Sequence, residues 1–219
     1  MYQVIGIKRA LAYFGTLCAV IFAAWAVAAP PENTGNIWEW WKIASGAVAG
    51  GALLVTLVGQ TDLFPSLCRL PWVRNWLPPI DGTWSATLES NWPMIQQRLN
   101  PTVPLPQLAP VKATITIRAR LFFVRVNLSS DDRYSNSKTI FVRATRDEED
   151  GSTQLHYIYH NSTNNPTATD SSAHEGAACL SVEPIGNDVR LEGVYWTNRN
   201  WHKGLNTAGT ISLHRAAKA

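Results

Sequence analysis

Apolar and polar positions divide the chain into two regions of different period. From Ala10 to Ala29, ALAYFGTLCAVIFAAWAVAA, twenty residues carry no charge. A helix of about 20 residues rises roughly 30 Å, the thickness of a bilayer core. Lys8 and Arg9 precede this run, and Pro30 and Pro31 end it. A second run, WWKIASGAVAGGALLVTLV, extends from Trp40 to Val58. Its one charge, Lys42, lies near an end, where a lysine snorkels to the headgroups. Trp38, Trp40 and Trp41 cluster at its start, where amphipathic rings favour the membrane interface. The short link between the runs predicts a transmembrane hairpin within residues 1–62, with helices over about 10–29 and 40–60. A signal peptide is the rival for the first run, because Ala26-Val27-Ala28 has the form of a cleavage site. The apolar stretch, however, exceeds the roughly 7–15 residues of a signal core. Burial of both runs in a soluble core fits less well, since nothing else in the chain is helical enough to enclose them.

After Asp62 the pattern changes. Residues 63–79 hold Pro65, Pro71, Pro78 and Pro79 with Trp72 and Trp76 between them, and read as a stiff interfacial linker. Over 80–219 the period is two. Candidate strands are Thr83 to Trp92, Val111 to Ala119, Leu121 to Ser129, Lys138 to Arg146, Thr153 to His160, His174 to Pro184, Val189 to Arg199 and Thr207 to Arg215. The Pro-rich stretch from Asn100 to Pro110 reads as irregular, the polar run 131–137 as a turn, and 161–172 as a loop. About eight strands without intervening helices predict an all-β domain, a sandwich or an antiparallel up-and-down, lipocalin-like barrel. Eight strands leave an interior that is filled or that holds one small ligand.

Charge then orients the anchor. Lys8 and Arg9 precede the first helix and Arg69 and Arg74 follow the second, while the loop between holds Glu32 and Glu39 and no cation. The positive-inside rule places both termini and the β domain in the cytoplasm. Three scattered cysteines, Cys18, Cys68 and Cys179, form neither a disulfide framework nor a metal motif, which suits a reducing compartment. Residues 1–75 carry 5 − 3 = +2 and residues 76–219 carry 14 − 13 = +1. So nearly neutral a β domain lacks the basic field of a DNA- or RNA-binding protein, and an anion must be recognised by a few local groups.

Catalytic signatures are missing. There is no phosphate loop, no nucleophile elbow and no zinc-protease motif. His156 and His160 share a strand face but stand about 13 Å apart, too far to chelate one metal unaided. The carboxylates on the candidate strands are not paired for acid–base work. The expectation is a non-enzyme without metal or cofactor.

Alternation selects the residues that face a barrel interior. Tyr195, Thr197 and Arg199 continue the apolar face of Leu191 and Gly193. Tyr157 and Tyr159 continue that of Leu155, and Ser90 and Trp92 extend that of Trp84. Aromatic rings stack bases, arginine pairs with phosphate, and hydroxyls read polar edges. Such a set suits a small anionic nucleotide. Trp84 itself reads as a core plug. In the second apolar run, Gly46 and Gly50 are four apart, a spacing that lets helix backbones approach closely. It serves packing within the hairpin or self-association between chains, and both readings stand.

These residues carry a resemblance. Two N-terminal membrane helices precede Asp81-Gly82-Thr83-Trp84 and Leu88-Glu89-Ser90-Asn91-Trp92. Later come Leu191-Glu192-Gly193-Val194-Tyr195-Trp196-Thr197-Asn198-Arg199 and Thr207-Ala208-Gly209-Thr210. In order and over nearly the whole chain this resembles the SMODS-associating, two-transmembrane, β-strand-rich effectors of the bacterial anti-phage system CBASS. The resemblance implies a minimal barrel that binds a cyclic di- or oligonucleotide made by a cognate nucleotidyltransferase, with Thr207 added to the binding set. It further implies homo-oligomerisation through the membrane helices, at Gly46 and Gly50, and disruption of the inner membrane in abortive infection. The residues 93–110 exceed what a tight hairpin needs and read as a lid or an insertion. A membrane-tethered carrier or sensor of a small apolar ligand is the alternative, and a filled barrel used as a scaffold is a third reading.

Overall fold

The computed structural model describes residues 1–102, 110–130, 135–147, 149–166, 171–186 and 188–216. A short helix, α1 (Tyr2–Ile5), leads into two long ones, α2 (Ile7–Ala28) and α3 (Ile37–Gln60). Both long helices are long and apolar enough to cross a membrane. Asn36 caps α3 by accepting from the Trp38 N–H at 3.0 Å. The helices pack against each other along Ile43, Ala47 and Gly51, one residue per turn of α3. Residues 63–79, read as a stiff linker, carry local helical structure. They include α4 (Leu63–Cys68) and α5 (Pro71–Arg74), where Pro71 occupies a first-turn position that needs no N–H.

Eight antiparallel strands follow in a meander and close into a barrel. They are β1 (Gly82–Ser90), β2 (Val111–Ala119), β3 (Val124–Ser130), β4 (Ser135–Arg146), β5 (Thr153–Thr163), β6 (Ala173–Ile185), β7 (Asp188–Thr197) and β8 (Ala208–Arg215). Strand β1 pairs with both β2 and β8, which removes the sheet edges. Gly193 and Gly209 allow the tight coiling: a Cβ there would lie 1.9 Å from the Cys179 carbonyl oxygen and 1.8 Å from that of Glu89.

Several boundaries differ from the sequence reading. Strand β1 ends at Ser90, and Trp92–Leu99 forms a helix, α6, started by Pro93 in its first turn. Strand β5 runs on to Thr163, through residues read as loop. Strand β4 begins at Ser135, inside the run read as a turn; residues 131–134 of that run, and 103–109 of the Pro-rich stretch, lie outside the described residues. Strand β7 stops at Thr197, so Arg199 lies beyond it, and β8 starts one residue after Thr207.

The barrel is filled at its base. Trp84, Ile115, Leu155, Leu180, Leu191 and Leu213 are fully buried there. The Trp84 indole donates to the Ile80 carbonyl at 3.0 Å, and the Arg215 guanidinium stacks 4.3 Å from its ring centroid. Arg215 also donates to Asp188, at 2.7 Å and 2.9 Å, and to the carbonyls of Asp81 and Pro79.

The same end of the barrel sits on the helices. Arg120, at the β2–β3 turn, is 4% exposed and donates to Asp81 Oδ1 at 2.7 Å and to Asp62 at the end of α3. The Leu121 N–H donates to the Gly59 carbonyl of α3 at 2.9 Å, and a Cβ on Gly59 would lie 2.8 Å from Leu121 Cβ. Segment α1 docks here as well. The Met1 amine donates to the carbonyls of Arg120 and Leu121 at 3.2 Å and 2.9 Å, and burial lowers its pKa to about 6. Val4 joins the core. The guanidinium groups of Arg9 and Arg146 lie 5.6 Å and 5.0 Å from the Trp76 ring centroid.

The two ion pairs of Arg120 are unequal. Asp81 is 24% exposed and also accepts from the Ala119 N–H, whereas the Asp62 side chain is 93% exposed. Removing the buried charge strands Asp81, which costs about 3 kcal/mol; a solvent-facing partner contributes under about 1 kcal/mol. Thermal unfolding of the full chain in detergent should therefore show Arg120→Ala far less stable than Asp62→Asn. Equal losses would mean that Arg120 does not seal the base.

Candidate functional site

Above the filled half the interior opens. A cavity of about 260 Å³ occupies the mouth half of the barrel. Alternation along the strands decides its lining, because a strand that fills the core at its base points the same face into the cavity further up. On β5, Leu155 is core, and Tyr157, Tyr159, Asn161 and Thr163 rise from it into the cavity. On β7, Leu191 is core and Tyr195 and Thr197 are cavity wall. On β2 and β3 the wall is mostly apolar, made by Val111, Ala113, Val126 and Leu128 with Ser130 at the end of β3. The cavity therefore has one aromatic and polar side and one aliphatic side.

All eight residues selected from the sequence line it: Ser90, Trp92, Tyr157, Tyr159, Tyr195, Thr197, Arg199 and Thr207. The Tyr157 and Tyr159 rings lie 5.8 Å apart at a 42° tilt. Burial raises the pKa of Tyr157, Tyr159 and Tyr195, so all three phenols remain neutral donors at physiological pH. Thr197 and Thr207 meet across the β7–β8 connection with their hydroxyls 3.0 Å apart. The Thr207 N–H donates to Thr197 Oγ1 at 3.2 Å.

Trp92 and Arg199 reach the cavity by routes that strand alternation does not describe. Trp92 is the first residue of α6, and its N–H donates to Ser90 Oγ at 3.1 Å. Asn91 fixes that helix start to β8 by exchanging hydrogen bonds with Ala208, at 2.9 Å through its N–H and 3.0 Å through its side-chain oxygen. Arg199 belongs to the turn after β7, where Asn200 takes a left-handed φ of 42°. Its guanidinium lies 5.2 Å from the Trp92 ring centroid. Among the described lining residues Arg199 is the only Lys or Arg, and none is Asp or Glu. A cation held on an indole face beside hydroxyls and phenols can pair with an anion.

Several lining residues lie outside the set drawn from the sequence. Asn161, Thr163, Ser137 and His174 complete the polar wall. Ser137 Oγ donates to Asn161 Oδ1 at 2.8 Å, and Asn161 Nδ2 lies 3.5 Å from Thr163 Oγ1. The signal for Asn161 and Thr163 is the unbroken alternation Leu155, Tyr157, Tyr159, Asn161, Thr163, hidden by a change from apolar to polar side chains. Gly176 is a positioning residue. A Cβ there would lie 2.4 Å from the Tyr159 ring, so the glycine makes room for that tyrosine. His156 and His160 lie on β5 at positions that alternate with the cavity-lining ones, and neither lines the cavity.

The glycine pair of α3 separates. A Cβ on Gly46 would lie 2.7 Å from the Trp25 ring of α2, whereas nothing stands within 4 Å of one on Gly50. Gly46 therefore packs the hairpin of its own chain, and Gly50 is open to a neighbour or to lipid.

Comparison with known proteins bears on the same region. The family model for the Cap15 cyclic dinucleotide receptor domain matches residues 76–215. CD-NTase-associated protein 15 of Escherichia albertii is 33% identical over 144 residues, which cover 65% of this chain and 64% of that protein. The chain thus matches just under two thirds of the relative's length. With the matched span running from Trp76 through the last barrel strand, this chain belongs to the Cap15 cyclic dinucleotide receptor family.

Proposed function

We propose that the chain is a membrane-anchored CBASS effector whose barrel binds a cyclic di- or oligonucleotide made by a cognate nucleotidyltransferase. The observation that carries this reading is Arg199, a cation stacked on Trp92 at the mouth of a cavity lined by tyrosines, hydroxyls and an amide. In it, Arg199 pairs with a phosphate, Tyr157, Tyr159 and Tyr195 stack on or cap the bases, and Ser90, Thr197 and Thr207 hydrogen-bond to polar edges. The protein is a receptor, not an enzyme. It lies in the bacterial inner membrane with both termini and the barrel in the cytoplasm, as the cations Lys8, Arg9, Arg69 and Arg74 support. Ligand binding brings copies together through the membrane helices, and the assembly disrupts the membrane and ends the infected cell's growth.

The aliphatic wall of β2 and β3 keeps a second reading in view, a carrier or sensor of a small apolar ligand. Calorimetric titration of the full chain in nanodiscs with a panel of cyclic dinucleotides separates the two. The nucleotide reading predicts saturable binding that Arg199→Ala weakens roughly ten- to hundredfold, the equivalent of about 1.5–3 kcal/mol for hydrogen bonds to a charged group. No saturable binding of any member of the panel by the folded chain would favour the apolar ligand, and unchanged affinity in the variant would remove Arg199 from the contact surface.

Tyr159→Ala should cost about 1–3 kcal/mol of binding, as loss of a stacking ring does. Gly176→Ala should lower affinity in the same direction, because its methyl group displaces the Tyr159 ring. Wild-type affinity in a folded Gly176→Ala barrel would remove Tyr159 from the contact surface.

Assembly through the helices has a specific probe in Gly50. Gly50→Leu should leave nucleotide affinity unchanged and reduce killing when expressed with the cyclase, since close helix approach needs a small residue. Gly46→Leu strikes Trp25 of the same chain and reports on the hairpin instead. Undiminished killing by a membrane-inserted Gly50→Leu protein would exclude that helix face from assembly.

A further inference from the structure

A barrel wall sends alternate side chains outward, and β4 breaks that rule. A bulge lies between Thr139 and Phe141. As a result two neighbours, Ile140 and Phe141, both face solvent, at 57% and 53% exposure. The bulge interrupts the β4–β5 ladder, and among the described residues three pairs join β3 to β4. Beyond them the Thr139 hydroxyl exchanges hydrogen bonds with the Val126 backbone. Regular pairing is thus given up where it places two large apolar side chains outside.

Three strands further round the ring, β7 presents Val194 and Trp196 outward, at 49% and 50% exposure. The charges beside the two faces are opposite. Strands β2, β3 and β4 carry Lys112, Arg118, Arg125, Lys138, Arg143 and Arg146 and not one carboxylate. Strands β6 and β7 carry Glu175, Glu183, Asp188 and Glu192 against a single cation, Arg190. The near-neutral sum of the barrel conceals this segregation.

We infer that the outer faces of β4 and β7 form a head-to-tail contact between copies of this chain. Pairing β4 with β4 sets cation against cation, and pairing β7 with β7 sets carboxylate against carboxylate. Joining β4 to β7 brings apolar side chains together and matches opposite charges around them. Because each copy keeps one free face of each kind, the contact is heterologous and propagates into a ring or a row of barrels. Anchoring by α2 and α3 confines the copies to one plane, which raises their effective concentration and lets a small interface suffice. This contact lies outside the cavity and outside the helix pair, and goes beyond the function proposed above.

Disulfide trapping in membranes tests it. Full-length chains in a Cys179→Ser background are co-expressed with two different tags, one carrying Ile140→Cys and the other Val194→Cys. The membranes are oxidised with and without a mixed panel of cyclic dinucleotides, and either condition counts. A mixed dimer should form at least tenfold more strongly than any dimer from either variant alone. Lys138→Glu with Arg143→Glu in the first copy should reduce it about tenfold, and Glu175→Lys with Glu192→Lys in the second should restore it. Strong dimers from one variant alone would replace the head-to-tail contact with a two-fold one. Cross-links to other proteins only would assign the faces to a different partner. No mixed dimer in membranes that still bind a cyclic dinucleotide would overturn the contact and leave the receptor reading standing.

Discussion

Trp84 divides this barrel. Eight strands enclose a bore that side chains can just fill, and one fully buried indole near the base, with Ile115, Leu155, Leu180, Leu191 and Leu213 around it, takes up the lower half. The rest of the molecule is arranged about that plug. Below it, the indole N–H needs the Ile80 carbonyl and the ring face receives Arg215, which in turn holds the entering chain at Pro79 and Asp81. Above it, the same inward faces no longer meet across the bore, and a cavity remains. A single size choice therefore determines which half is structure and which half is free for a ligand.

The base has its own requirement. Arg120 is 4% exposed, and a buried guanidinium is tolerable only when paired and hydrogen-bonded. Asp81, on the segment entering β1, supplies the partner, and Asp62 at the end of α3 extends it towards the membrane helices. Gly59 then allows Leu121 to approach α3 closely enough for a backbone hydrogen bond. The long helices and the barrel are thus joined by an ion pair and a backbone hydrogen bond.

Much of this was legible in the sequence because two periods carry it. An uncharged run reports a helix that needs no polar face, and strict alternation reports which strand side is buried. Leu155, Tyr157 and Tyr159 were found that way, as were Tyr195 and Thr197. Asn161 and Thr163 escape the pattern because their polarity resembles the end of a strand, whereas a cavity is where a barrel interior turns polar. Arg199 was reached by extending the alternation past Thr197, yet the turn at Asn200 is what brings it to Trp92. Three features had no periodic signal. The docking of α1 and the pairing of Arg120 depend on contacts between residues 39 to 120 apart in the chain. The bulge in β4 shifts the alternation by one residue, and only strand pairing reveals it.

The plug also limits how a ligand in the mouth can act. A close-packed core has few alternative arrangements, so it transmits little from the mouth down to the helices. The wall is the shorter path, because alternation places inner and outer contacts on successive residues. Tyr195 and Thr197 face the cavity, and Trp196 between them faces outward. Tyr157 and Tyr159 flank the outward Ile158 in the same way. A ligand that draws these tyrosines inward must move the backbone of β5 and β7, and that backbone carries the outer side chains with it. In a barrel filled at its base, a ligand bound in the mouth would therefore act most directly on what lies beside the barrel, and less directly on the helices at its base.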